Sequence, residues 1–291
     1  MQLLVYILVY PLLFLISILP FRLLYLLSDL TFFLVYYIVG YRKTVVTENL
    51  KLVFPEKSES EINRIKKKFY RHLCDLIMEM IKSITISQAD LIKRFKVANP
   101  ELLNSLEDRH SSLIMMYGHY ASYEWSIVIG QYIRFKGYGV YKPLRNKYFN
   151  RLVKRIRSKF NLGLISSKQA KVIISKLVQS GEPVIVGLVS DQSPKAVKKY
   201  PLIDFMGHSV PCFTGAETMA KQFDIPLCYI KIDKLRRGHY QAEFIILAEE
   251  PNKYPDYQLT EKFTRILEDQ IREAPEYYLW THKRWKHRIK K

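Results

Sequence analysis

The sequence predicts an α/β fold: a mixed sheet flanked by helices, preceded by a helical membrane anchor. Three observations predict it. From about residue 95 onward, short apolar runs alternate with amphipathic stretches of helical period. Pro183 to Ser190 is apolar without a break, the pattern of a central strand buried on both faces. Leu3 to Leu19 carries no charge at all.

The elements follow in order. Leu3 to Leu19 is near the lower length for a spanning helix, roughly 17–25 residues. A second apolar stretch, Leu23 to Tyr41, is interrupted by Asp29. No Lys or Arg precedes the first run and no small-residue cleavage site follows it, which favours an anchor over a cleaved signal. Arg22 and Arg42 follow, placing the rest of the chain on the cytoplasmic side. The alternative is a pair of buried core helices. The organisation predicted is 1–41 anchor or interfacial helices, 42–95 helical connector and amphipathic basic helix, and 96–291 α/β catalytic domain.

Residues 42–57 read as a basic, polar connector. Ser58 with Glu61 is a capping-box pattern. Ile62, Ile65, Phe69, Leu73, Leu76, Ile77 and Met80 then form an apolar helix face. Arg64, Lys66, Lys67, Lys68 and Arg71 form the other, facing solvent or anionic lipid. Strands are predicted at 113–117, 139–142, 162–165, 183–190, 225–232 and 241–247. Helices are predicted at 123–135, 147–159, 167–179, 214–223 and 259–273.

With 291 residues and a net charge of +19, the chain should meet an anionic partner: nucleic acid, an acidic membrane or an acidic carrier protein. No helix-turn-helix, RNA-recognition signature or zinc finger is present, which argues against nucleic acid. Cys74, Cys212 and Cys228 form no C-x-x-C pair, so no disulfide framework or zinc site is predicted. The plain reading is a reducing, cytoplasmic location for the catalytic part.

Tyr117 to Trp125 is the most informative segment. It joins a strand to a helix, where active-site loops of α/β sheets lie. Gly118 permits a sharp turn. Ser122 suits an N-cap, which puts Glu124 in the first helical turn. On one regular helix His119 and Glu124 would diverge by about 140°, whereas across a corner they can converge. A carboxylate that orients an imidazole is the arrangement that activates a hydroxyl. The absence of a G-x-S-x-G elbow favours a substrate hydroxyl over an enzyme serine. Ordinary polar residues near a helix start are the plainer alternative.

This H-x4-E motif, His119 to Glu124, resembles that of glycerolipid-type acyltransferases. The longer context resembles the bacterial late (secondary) acyltransferases of lipid A biosynthesis. The segments that carry the resemblance are Tyr41-Arg42-Lys43 through Phe54-Pro55, Gly118 to Trp125, and Tyr141-Lys142-Pro143-Leu144 with Asn146. Asp191-Gln192, Phe205-Met206-Gly207, Gly215 to Ala220, Ile225-Pro226 and Tyr278 to Arg284 complete it. Thr281, between Trp280 and His282, departs from many relatives.

The resemblance implies an acyl carrier protein thioester as donor and a glucosamine-based lipid A precursor as acceptor. It makes His119 the base and Glu124 its orienter. It implies Arg157, with Arg155 second, as a phosphate or oxyanion ligand. Lys142 joins the substrate-binding set, and Asp191 and Gln192 should line the same pocket. No metal or other cofactor is implied, and the location is the cytoplasmic face of the inner membrane.

Lys195, Lys198, Lys199 and the basic tail from Lys283 suit a carrier, a phosphate or the bilayer. Trp280 and Trp285 among basic residues read as an interfacial anchor. Of the remaining histidines His72, His110, His208, His239 and His287, only His208 merits a test. Other acceptors remain open: another glycolipid, an aminolipid or a lysophospholipid. So do a non-catalytic basic membrane protein and a hydrolase that activates water with the same His–Glu pair.

Overall fold

The structure is a computed structural model that describes residues 1–195 and 199–289. Lys198, Lys290 and Lys291 of the predicted basic clusters lie outside the described residues. In chain order the elements begin with α1 (Gln2–Ile18), α2 (Phe21–Phe33), α3 (Lys43–Val53), α4 (Glu59–Lys82) and α5 (Gln88–Arg94). Next come β1 (Phe95–Val97), α6 (Pro100–Arg109), β2 (Ser112–Tyr117), β3 (Lys136–Tyr141), α7 (Lys147–Arg157) and β4 (Leu162–Ser166). Then follow α8 (Ala170–Gln179), β5 (Val184–Val189), β6 (Leu202–Phe205), β7 (His208–Pro211) and α9 (Gly215–Phe223). The chain closes with β8 (Leu227–Arg236), β9 (His239–Ala248) and α10 (Gln258–Glu273).

Seven strands form one mixed sheet in the order β1-β9-β8-β2-β5-β3-β4. Neighbours pair in parallel except β8 and β9, which form an antiparallel hairpin. The apolar run 183–190 is β5, paired on both sides, which is why it lacks polar alternation. The mixed sheet and its flanking helices are therefore as the sequence predicts, and Phe21–Val39 is a candidate membrane anchor by length and composition.

Several local expectations are corrected. The stretch 42–57 is not a plain connector: α3 runs through it and buries Val46, Leu50 and Val53. Short apolar spacing among Lys, Thr and Glu hid that helix. The second apolar stretch is α2 continued by a π-helical segment, Leu34–Val39, ending at Gly40 in the left-handed region. The helix predicted at 123–135 is a 3-10 helix, Tyr123–Gln131. The hairpin β6–β7 escaped prediction because its two-residue turn is Met206-Gly207, both at positive φ. Asn-Gly or Asp-Gly is the usual signal at such a turn.

The α4 capping box forms as expected, with both reciprocal bonds between Ser58 and Glu61. The Trp280 and Trp285 anchor does not form. Both indoles are buried and stack on each other, and Trp285 also stacks on Phe205. Their burial is worth more in the core than at an interface, because each N–H also finds a carbonyl, Pro275 O and Phe205 O.

Candidate active site

The register of the central strands builds the site. Tyr117 at the end of β2 pairs with Val189 at the end of β5. Two residues beyond each lie His119 and Asp191, so the parallel register brings them side by side at the carboxyl ends of adjacent strands. Active sites of open α/β sheets form at such ends. His119 Nδ1 donates to Asp191 Oδ1 at 2.7 Å. Gln192, the next residue, donates from Nε2 to His119 Nε2 at 3.2 Å. This network fixes one tautomer: Nδ1 carries the proton and Nε2 offers its lone pair. The His119 side chain is 18% exposed and that of Asp191 1% exposed.

Contrary to the sequence expectation that it orients His119, Glu124 makes no hydrogen bond to that ring. Its carboxylate takes a bidentate fork from Arg157, through Nε to Oε2 at 3.0 Å and Nη2 to Oε1 at 2.5 Å. A planar guanidinium matches a carboxylate with two parallel bonds, and a single imidazole N–H cannot compete with it. The 3-10 winding of 123–131 sets the direction of Glu124, and the end of α7 brings Arg157 to it. Glu124 still acts on His119 through charge. Burial by itself pulls the His119 pKa down. The Asp191 charge and hydrogen bond, with Glu124 behind them, outweigh burial and Arg157 and leave it raised. Burial pushes Asp191 up, but His119 holds it below the usual aspartate value. The edge of the Tyr123 ring packs on the imidazole, with centroids 4.9 Å apart.

The loop from β2 is pinned rather than mobile in design. Gly118 is not needed for a positive φ. A Cβ there would meet the Leu267 side chain at 2.9 Å, so a larger residue would have to displace that side chain of α10. The left-handed residue is Ala121, at φ 46°. Ser122 makes no capping bond; its hydroxyl donates to the buried Glu79 carboxylate at 3.4 Å. The C-terminal block clamps the other side. Leu279 N–H donates to His119 O, and Ala121 N–H donates to Tyr277 O. Asn49 of α3 donates to Trp280 O and His282 O and ties that block down.

This chain's residues 1–287 match the family model described as bacterial lipid A biosynthesis acyltransferase. The chain belongs to that family. It is similar to the lipid A biosynthesis palmitoleoyltransferase of Escherichia coli (strain K12), with 23% identity over 250 residues, 85% of this chain and 79% of the relative. The lipid A biosynthesis lauroyltransferase of the same organism is 24% identical over 251 residues, 85% of this chain and 80% of the relative. The lipid A biosynthesis acyltransferase of Shigella flexneri is 23% identical over 250 residues, with 85% and 79% covered.

The remaining sequence-predicted residues of this acyltransferase fall in two groups. Arg157, rather than Arg155, joins the cluster. Arg155 is exposed and bonds the Tyr10 hydroxyl of α1 at 3.2 Å. Lys142 is exposed just beyond the carboxyl end of β3, which neighbours β5. His208 lies elsewhere, its Nε2 at 3.1 Å from Leu52 O. Among the described residues, no group of three or more His, Cys, Asp or Glu side chains is disposed to hold a metal.

One histidine was overlooked by sequence reasoning. His282 Nε2 accepts from the Ser193 N–H at 3.2 Å, just past Gln192. Burial lowers its pKa to about 4, which keeps it a neutral acceptor. Its position in the terminal basic block disguised this structural role.

Proposed function

We propose that this protein transfers a fatty acyl chain from an acyl carrier protein thioester to a hydroxyl of a lipid A precursor, at the cytoplasmic face of the inner membrane. The observation that carries the mechanism is the His119 ring. Its Nδ1–H is held by buried Asp191, while its Nε2 lone pair faces a hydrogen-bond donor. That donor is the Gln192 amide.

The acceptor hydroxyl takes the place of the amide. Its oxygen attacks the thioester carbonyl carbon as Nε2 removes its proton, forming a tetrahedral oxyanion. The carbon–sulfur bond then breaks, and the imidazolium returns the proton to the leaving thiolate. Asp191 stabilises the imidazolium directly, and Glu124 does so through space. Glu124 thus orients Arg157 in place of the histidine. Arg157 uses Nε and Nη2 for that fork, and its Nη1 donates to no described residue. That edge can bind the oxyanion or a substrate phosphate. Arg155 and Lys142 are secondary phosphate ligands in this reading.

The test is acyl transfer in detergent, from labelled carrier-protein thioesters to a tetra-acylated lipid A precursor. His119→Ala should lose about 10²–10⁴-fold, the contribution of general base catalysis. Undiminished transfer in that variant would sink the mechanism. Wild-type inactivity toward this acceptor would remove the lipid A precursor, and thioester hydrolysis as the main reaction, in place of a slow side reaction, would mark a hydrolase.

A further inference from the structure

We infer that α1 and α2 lie flat in one leaflet of the bilayer as an apolar platform, and that neither crosses it. By length and composition, Phe21–Val39 is able to span, and α1 is a shorter apolar helix. Their partners argue otherwise.

The globular body holds α2 along its whole length, running antiparallel to α4. The Tyr25 hydroxyl donates to Glu79 at 2.9 Å, and the Ser28 hydroxyl donates to Asp75 at 2.7 Å. One turn on, the Arg71 guanidinium lies over the Phe32 ring, and near the end of the π-helical segment Lys67 faces the Tyr37 ring. Asp29, the one acidic residue in the stretch, pairs with Arg237 from the β8–β9 turn, and Arg237 also binds Asp75. A Cβ on Gly238 in that turn would overlap the Tyr25 hydroxyl, so the sheet's hairpin packs directly on α2.

The body holds α1 in the same way. Gln2 donates to Arg145 O, Tyr6 stacks on Tyr148, and Arg155 donates to the Tyr10 hydroxyl, so α7 follows its first half. At its other end, Lys82 and Thr85 donate to Ser17 O. If either helix crossed the bilayer, the α7 cations or the Asp75–Arg237–Asp29 network would be drawn into hydrocarbon, which is costly. An α1 of 17 residues is also only about 25 Å long, against a core of about 30 Å.

The outward faces are apolar at helical spacing. Leu4, Leu8, Leu12 and Leu15 are exposed on α1, and Leu23, Leu26, Leu30 and Phe33 on α2. Leu8 is 68% exposed and Leu26 66%. On α4, which packs against both, Ile77 and Met80 are exposed too. Exposed cations adjoin this surface: Arg22 opens α2, and Arg145 and Lys147 meet the start of α1. An aliphatic face beside cations fits the hydrocarbon and the anionic headgroups of a single leaflet.

The inference rests on the membrane location in the proposed function, but its test does not use activity. Leu4, Leu8, Leu15 and Leu26 are each replaced by Trp in the full chain, bound to anionic phospholipid vesicles carrying bromines near the headgroup or near the bilayer centre. The native Trp125, Trp280 and Trp285 are buried, so the added indole dominates quenching. The expected result is equal quenching at all four positions, strongest from the shallow bromines. Deep quenching at Leu8→Trp with shallow quenching at Leu4→Trp and Leu15→Trp means a span and overturns the inference. No quenching at any position means that something other than lipid covers the face, and overturns it equally. Impermeant maleimide on Gln2→Cys and Pro20→Cys in sealed vesicles is the second measurement. Labelling of both from the side of the body supports the platform, and any other pattern overturns it.

Discussion

Two carboxylates are buried within reach of the same loop, and their pKa values are shifted in opposite directions. Asp191 faces His119, and that imidazole holds its pKa down despite burial. Glu79 of α4 faces hydroxyls instead: Tyr25, Tyr240 and Ser122 all donate to it. Burial pushes it up to about 7, with Lys234 and the hydrogen bonds opposing and Asp75 adding to the rise. Burial alone drives a carboxyl toward its neutral form, and a titratable partner in direct contact reverses the outcome. The first arrangement is the one the proposed mechanism uses for proton transfer. The second is a structural node with a raised pKa that ties α2, β9 and the loop after β2 to α4.

The sharpest way to break this contrast is Asp191→Asn. The amide can present N–H to Nδ1, which favours the wrong tautomer, so transfer should fall by about 10²–10⁴-fold. The residual activity carries a second signature. In the wild type Asp191 and Glu124 raise the His119 pKa, so the acidic limb of kcat/KM lies above the usual histidine value near 6.5. Without the Asp191 charge that limb should move to lower pH. An unmoved limb in a pH–rate profile would mean that the titrating group is not His119.

The next effect down concerns the second ion pair. Arg157→Lys keeps the charge and loses the fork, and about tenfold to 10²-fold loss of transfer is expected. Glu124→Gln should cost a similar factor. The double variant should cost far less than the product of the two, because both act through one contact. Additive losses measured in the same assay would show that Glu124 works on His119 independently of Arg157.

The smallest effect on activity is expected at Glu79→Gln, which imitates the neutral form. Its signature lies in stability. A carboxyl with a folded pKa about 7 and an unfolded value near 4.3 binds a proton in the native state that the unfolded chain has released. Its contribution is present below about pH 4.3 and is lost as pH rises through 7. At about 1.4 kcal/mol per unit, the difference is on the order of 4 kcal/mol. Thermal unfolding should therefore show a fall in Tm between pH 5 and 8 that Glu79→Gln removes. A wild-type Tm that rises across this window would mean that Glu79 is ionised.

What the sequence determined by itself is whatever depends on local pattern. The apolar run of β5, the capping box of α4, the loop Tyr117 to Trp125 and the Asp191-Gln192 pair were all legible. Strand burial, helix period and turn chemistry are written in neighbouring residues. Tertiary structure decided the pairings. Asp191 stands 72 residues from His119, and only the parallel register of β2 and β5 makes it the imidazole's partner. Glu124, five residues away, is turned to Arg157 by 3-10 winding that no periodicity announces. Trp280 and Trp285 are the same lesson in reverse: their basic neighbours suggested a membrane, but they stack on each other, and Trp285 on Phe205, inside the core. In the N-terminal helices, apolar composition permits a span, while Tyr25, Ser28 and Asp29 fasten α2 to the body. Composition fixes how much surface must avoid water, but polar contacts across the fold fix which way it faces.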